Sequence, residues 1–527
     1  MALRDAPIAA ALRAGLALGV AALGTGSTLA YFEESLPTSM NPLYASAMVD
    51  YRSQELVFDR LWFHDAITNE LKSRIVERYE LVDGGKGVRI TLISGVKWHD
   101  GKPMNAKDLC FTVDAMLDKN TPSPVAQEYR QFITGCEVTS GQVATISFNR
   151  VFHNPRERLG FALLPREAFE STAISPDLEF SAKPIGTGPM KGSRGRRGAI
   201  FDAFANVHHT PQVAQLQLQD AGDPLVQVKT IINNGVQGII AVPPPYRPDL
   251  SSNDEVALKS YDLRSWWFIA LNTNKGALAD PRVRKGLNLA IDRTALREFT
   301  IGVKAGEENS PCEFISGPFV QSSPYYNRAV PTVDRSNKAQ AKALFEEAGL
   351  KDTGGRWHYK NAPITLRVGM LAPLNNEAPD LLSYIGNQLS DAGFDRNDLK
   401  ISADEWKTNV LTGKATDYDL LIGKWSFGLY EDVNHLFHSR TGNAGKLNLF
   451  NYKNADVDAT LQAYDRAVTD TAARDAYHKL HTQVAEDLPY LFLWKLDTRS
   501  AWRTEVRGNI ISAYYYFTEI DSWKYGR

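Results

Sequence analysis

The sequence predicts an α/β fold divided over more than one domain, and three observations carry that expectation. The chain has 527 residues, too many for a single hydrophobic core and enough for two or three domains. Its second half alternates strand-like and helix-like segments between ITLRVGML (364–371) and YDLLIGKW (418–425). That rhythm marks a doubly wound unit with a parallel sheet. The composition is that of an ordinary globular chain, 43% hydrophobic and 23% charged with a formal net charge of −2. The balance leaves no basic excess, so nucleic acid is excluded as the main partner.

Taken in order, the N-terminus reads as a targeting segment. Arg4 and Arg13 precede AGLALGVAALG, an apolar run too short to span a bilayer. Small residues follow, with Thr28 and Ala30 at the −3 and −1 places of a secretory cleavage site. Residues 1–30 are therefore expected to be removed on export. An exported chain permits disulfides, and Cys110 and Cys136 share one segment. With Cys312 as an odd third, however, three buried thiols is the reading preferred here.

The first clear strand lies in GVRITL, where Val88, Ile90 and Leu92 alternate with Arg89 and Thr91 after the turn signal DGG. Next comes GVKWHDGKP (95–103), which sets His99 beside Asp100. The pair resembles an acid and base, but Asp100-Gly101 is a tight turn and Asn105 caps the helix that follows, with Asp108 three residues on. Neighbours in a turn rarely point at one spot, so the pair is read as architecture and not as catalysis. Further on, PRVRKGLNLAIDRTAL (281–296) and NKAQAKALFEEAGL (337–350) read as helices, the second stopped by Gly349. The helix APDLLSYIGNQLSDAG, the strand LKISA and the short helix DEWKTNVLTG complete the alternation. Ligands of open parallel sheets bind beyond the C-terminal strand ends. Trp425 occupies such an end, and the aromatic loop SFGLYED follows it.

Catalytic motifs are missing from the sequence: there is no GxSxG elbow, HExxH, Walker loop or GxGxxG after a strand. IGTGPM (185–190) is glycine-rich but has no Lys-Ser/Thr pair. His435/His438 and His478/His481 are each spaced to share a helix face, yet neither pair has further ligands at metal-site spacing. No enzyme, no cofactor and no metal site is expected.

Several blocks in order resemble the family 5 extracellular solute-binding proteins of ABC importers, the oligopeptide-, dipeptide- and nickel-binding group. Trp98 to Pro103 with Ala106 and Asp108 is similar to the family's F-x-D-G-x-P-x-x-A-x-D block. PIGTGPM is similar to GTGPY, and the DPRVRKGLNLAIDR and AKALFEEAGL segments also match, so the likeness spans residues 31 to 505. The resemblance implies a two-lobe periplasmic-binding-protein clamp with an extra subdomain inserted in the first lobe. Its expected partition is lobe I at 31–70, 184–270 and 490–527, the insert at 71–183, and lobe II at 271–489. It further implies a periplasmic monomer that captures a peptide or peptide-like solute and delivers it to an ABC permease in the inner membrane. The expected ligand wall is the loop of Trp425, Ser426, Phe427 and Tyr430, with Met48 and Tyr51 in lobe I, Tyr129 in the insert, and Trp266 and Trp267 before the lobe crossing. Peptide binders of the group carry W-x-x-D after the strand, the Asp pairing with the peptide ammonium. Here Gly428 takes that place, with Glu431 and Asp432 nearby. The departure keeps a non-peptide cargo, an oligosaccharide or a chelated metal, as the alternative.

Overall fold

A computed structural model describes residues 27–526, apart from residues 66, 67, 69, 153, 262, 263, 302–311, 377, 379, 428–430, 441–444, 468, 497, 513 and 514. The targeting run thus lies outside the described residues. The strand Thr28–Glu33 begins just after it and pairs in parallel with Gln215–Asp220, Thr28 opposite Gln215. Cleavage after Ala30 would remove the first half of that strand.

Of the five sheets among the described residues, three organise the chain. The first contains seven strands in the order Val256–Tyr261, Thr498–Arg503, Gly238–Ile239, Thr28–Glu33, Gln215–Asp220, Gly198–Ala203 and Met190–Arg194. The second contains five, in the order Asp395–Ile401, Thr365–Leu371, Leu420–Ser426, Ser265–Leu271 and Tyr490–Lys495. The third is a four-stranded antiparallel sheet of Val76–Val82, Gly87–Leu92, Val143–Phe148 and Ile133–Ser140.

The second sheet is mixed, not wholly parallel. Its first three strands are parallel, as the strand–helix rhythm requires, but Ser265–Leu271 and Tyr490–Lys495 join antiparallel. Both enter from outside the alternating segment, so its rhythm carries no sign of them. The chain passes from first sheet to second between Tyr261 and Ser265 and returns between Lys495 and Thr498. The two crossings are neighbours: Tyr261 pairs with Thr498 on one side, and Trp266 with Lys495 on the other.

Strand Ser265–Leu271 is buried throughout and alternates between two cores. Trp267, Ile269 and Leu271 pack with the helices on one face, Trp266, Phe268 and Ala270 with Phe492 and Tyr490 on the other. In the insert, helix Ala106–Leu117 lies over the antiparallel sheet, and its core is continuous with that of the first lobe. Asn105 and Asp108 close the expected capping box at its start. The segment 281–296 is two helices rather than one, Pro281–Ala290 and Arg293–Ile301. Asp292 accepts from the backbone N–H of Ala295 and starts the second helix afresh.

The preference for three thiols is overturned. Cys110 on that helix and Cys136 on strand Ile133–Ser140 form a disulfide, while Cys312 keeps its thiol, buried in the second lobe. Helix–strand packing brings the two together, and the sequence alone does not display it.

Candidate functional site

A cavity of about 520 Å³ lies between the lobes and is walled by three parts of the chain. Helix Met48–Val57 contributes Met48, Tyr51 and Gln54, three residues apart and so on one helix face. The insert contributes Tyr129 at the end of helix Pro124–Tyr129, which Ser123 caps and Pro124 opens. Tyr129 is braced edge-on by Phe161 at 5.2 Å between ring centroids. The second lobe contributes Trp425 at the C-terminal end of its strand and Phe427 just beyond, the rings perpendicular at 6.3 Å.

Five of the expected wall residues therefore meet on one cavity: Met48, Tyr51, Tyr129, Trp425 and Phe427. Ser426 is not among the lining residues; its hydroxyl accepts from that of Ser265 at 2.7 Å across the strand pair. Trp266 and Trp267 do not line it either. They lie just after the crossing, one in each core, 0% and 3% exposed. Tyr430, like Gly428, falls outside the described residues.

The polar lining divides by sign. Glu128, Asp432 and Asp465 supply carboxylates, and Arg60, Arg150, Arg158 and Lys446 supply cations. Burial raises the Asp465 carboxyl above its ordinary value, Asp432 raises it further, and Arg150 and Arg158 oppose the rise. Glu128 lines the cavity and remains exposed to solvent. Its carboxyl is raised by burial, opposed by Lys446 and reinforced by Asp432. Asp432 is thus the acid that both others feel. One of its oxygens accepts from the backbone N–H of Asn434 at 2.8 Å, which fixes the carboxylate at the start of helix Asn434–Phe437. Its neighbour Glu431 is turned away and committed: it accepts from Ser323 at 2.8 Å and pairs with Arg264 of the crossing segment at 3.4 Å. Of the two acids near Gly428, only Asp432 faces the cavity.

The histidines separate in the same manner. His435 and His438 both line the cavity. His478 and His481 do not: His478 bonds Pro324 and His481 bonds Ser316 and Asn327, so each supports a loop. His99 is likewise structural. It is buried, with its ring nitrogens bonded to the backbone of Gly186 and Gly188, while Asp100 accepts from the Lys102 N–H in the turn and Gly101 takes φ +88°. The GVKWHDGKP motif is a turn that stitches the insert to the GTGP segment of the first lobe.

The model of the bacterial extracellular solute-binding proteins, family 5 (middle region), matches residues 70–447. The chain belongs to this family. Among its relatives, the oligopeptide-binding protein AppA of Bacillus subtilis is 23% identical over 492 residues, covering 90% of this chain and 87% of AppA. The solved structure of that AppA with a nonapeptide superposes with a TM-score of 0.76 at 20% identity, over 95% of this chain and all of the other. NikZ from Campylobacter jejuni, solved with Ni(L-His), gives 0.78 at 18% identity over the same shares. The family consists of binding proteins, not enzymes, in keeping with the lack of catalytic motifs. Among the described residues no helix is long and apolar enough to cross a membrane.

Glu128, Asp465, Arg150, Arg158 and Lys446 escaped sequence reasoning. Glu128 adjoins a nominated residue, and its place beside Tyr129 at the end of a capped helix was the available signal. The two arginines and Asp465 come from separate elements that only the closed fold brings to one space.

Proposed function

We propose that this protein captures a short peptide or peptide-like zwitterion between its lobes outside the cytoplasm and delivers it to an ABC permease in the membrane. The observation that carries the reading is the division of the cavity wall into three carboxylates and four cations. A charge carried into a closed cleft needs an opposite partner, since unpaired burial costs several kcal/mol. Asp432, with Glu128 and Asp465, is suited to a ligand ammonium in place of the carboxylate that Gly428 lacks. The arginines are suited to a ligand carboxylate, for which the guanidinium fork is built. The volume is within the range that encloses a small ligand, and the aromatic rings supply apolar wall around the polar anchors. A relative that binds oligopeptides and a structural neighbour solved with a nonapeptide support the peptide class. Closure is a hinge motion that a solute touching both lobes stabilises.

A second reading has one observation in its favour. His435 and His438 are on the cavity wall, and imidazole suits a chelated transition metal, the cargo class of the NikZ complex. Native mass spectrometry of the protein recovered from its exported form separates the two. A retained peptide mass is expected, bound at least tenfold more weakly once its amino terminus is acetylated. A metal chelate or a sugar, or indifference to acetylation, would overturn the ammonium-anchored reading.

A further inference from the structure

We propose that Asp59, His208 and His209, away from the cleft, form a divalent-cation site that takes Zn²⁺ and fastens the C-terminal segment to the first lobe. Their ligand atoms lie within 4.8 Å of one another, and none of the three lines the cavity. Asp59 follows helix Met48–Val57, His208 and His209 precede strand Gln215–Asp220, and Asp521 belongs to the C-terminal turn Ile520–Ser522. Both Nε2 atoms face one carboxylate: His208 at 2.8 Å from Asp59 Oδ2, and His209 at 3.0 Å from Oδ1. Two imidazoles and a carboxylate with ligand atoms this close are the three-ligand set of an open tetrahedral zinc site.

The surroundings of His209 match what a metal ligand needs, whereas His208 Nδ1 is buried with no hydrogen-bond partner among the described residues. His209 Nδ1 donates to Asp521 Oδ2 at 2.6 Å, the carboxylate partner that fixes a ligating ring and raises its basicity. Asp521 is held in turn by the Thr210 N–H at 2.9 Å. The Thr187 hydroxyl donates to Asp59 Oδ2 at 2.9 Å and orients that carboxylate. The His208 side chain is 14% exposed, whereas His209 and Asp59 are 0% and 3%. The open edge is therefore on the His208 side, where an ion enters and a water completes the coordination.

The test uses the full chain, equilibrated with Zn²⁺ and freed of excess ion, with zinc counted per chain and affinity read by competition with a chromophoric chelator. One zinc per chain is expected in the wild type and in the His435→Ala/His438→Ala double variant, and none in His208→Ala, whose metal-free melting curve reports its folding. Asp521→Asn, which removes only the partner of a ligand, should bind about 10–100-fold more weakly. No stoichiometric zinc in the wild type, zinc that survives His208→Ala, or zinc lost with the cleft histidines would overturn the proposal.

Discussion

Removing the Cys110–Cys136 bridge should loosen the insert and, through it, the ligand wall. The bond joins helix Ala106–Leu117 to strand Ile133–Ser140 across a sequence separation of 26 residues. The loop so closed contains helix Pro124–Tyr129, which carries Glu128 and Tyr129 to the cavity. Closing a loop of that length removes about 3.5 kcal/mol of chain entropy from the unfolded insert. The Cys110→Ala/Cys136→Ala variant should therefore populate insert-open forms about 300-fold more often, at roughly 1.4 kcal/mol per factor of ten. Hydrogen exchange followed by mass spectrometry resolves this locally: amides in residues 106–148 should exchange faster, those in strand Leu420–Ser426 should not. Exchange in 106–148 that matches the wild type would refute the reasoning. It would mean that helix–strand packing alone fixes the loop and that the bridge constrains nothing.

Trp425→Ala should weaken solute binding at least tenfold with little loss of stability. Burying about 60 Å² of the ring against a ligand, at about 25 cal/mol/Å², gives about 1.5 kcal/mol. Unchanged affinity in calorimetry would assign the ring to the core. His99→Ala should leave solute affinity unaltered, and a large loss would restore a functional role to that turn. Burial lowers His99 to about 4, and burial with the His478 charge lowers His481 to about 3. Their folded values are below the ordinary 6.5, so the unfolded chain protonates first as the pH falls. Each histidine's contribution is intact above pH 6.5 and falls by about 2 kcal/mol by pH 5, a loss that His481→Gln should halve in denaturant titrations. Glu55 behaves in the opposite sense, since burial raises it to about 8 despite bonds from Phe517 and Thr518. Its folded form holds a proton that the unfolded chain releases above 4.5, so stability declines between pH 4.5 and 8. Glu55→Gln should abolish that decline.

What the sequence displayed, and what it hid, follows the range of the forces. The Asn105–Asp108 capping box and the Gly101 turn are decided within a few residues, and both were readable. The aromatic strand end at Trp425 was readable because a strand's period and its exit loop are local as well. Trp266 and Trp267 were misplaced because an aromatic pair next to a crossing has the same local pattern whether it faces ligand or core. Only the antiparallel arrival of Tyr490–Lys495 seals them in. The disulfide and the three-carboxylate wall belong to the same class. Each depends on elements far apart in the chain, and residue types carry no record of which segments will face one another.

The paired crossings at Tyr261–Ser265 and Lys495–Thr498 have a mechanical consequence. On the proposed reading of capture by hinge closure, these two adjoining crossings are the connections about which the lobes would turn. Arg264, within the first crossing, is tied through Glu431 to the loop that bears the cavity wall, so the pivot and the jaw are joined by one ion pair.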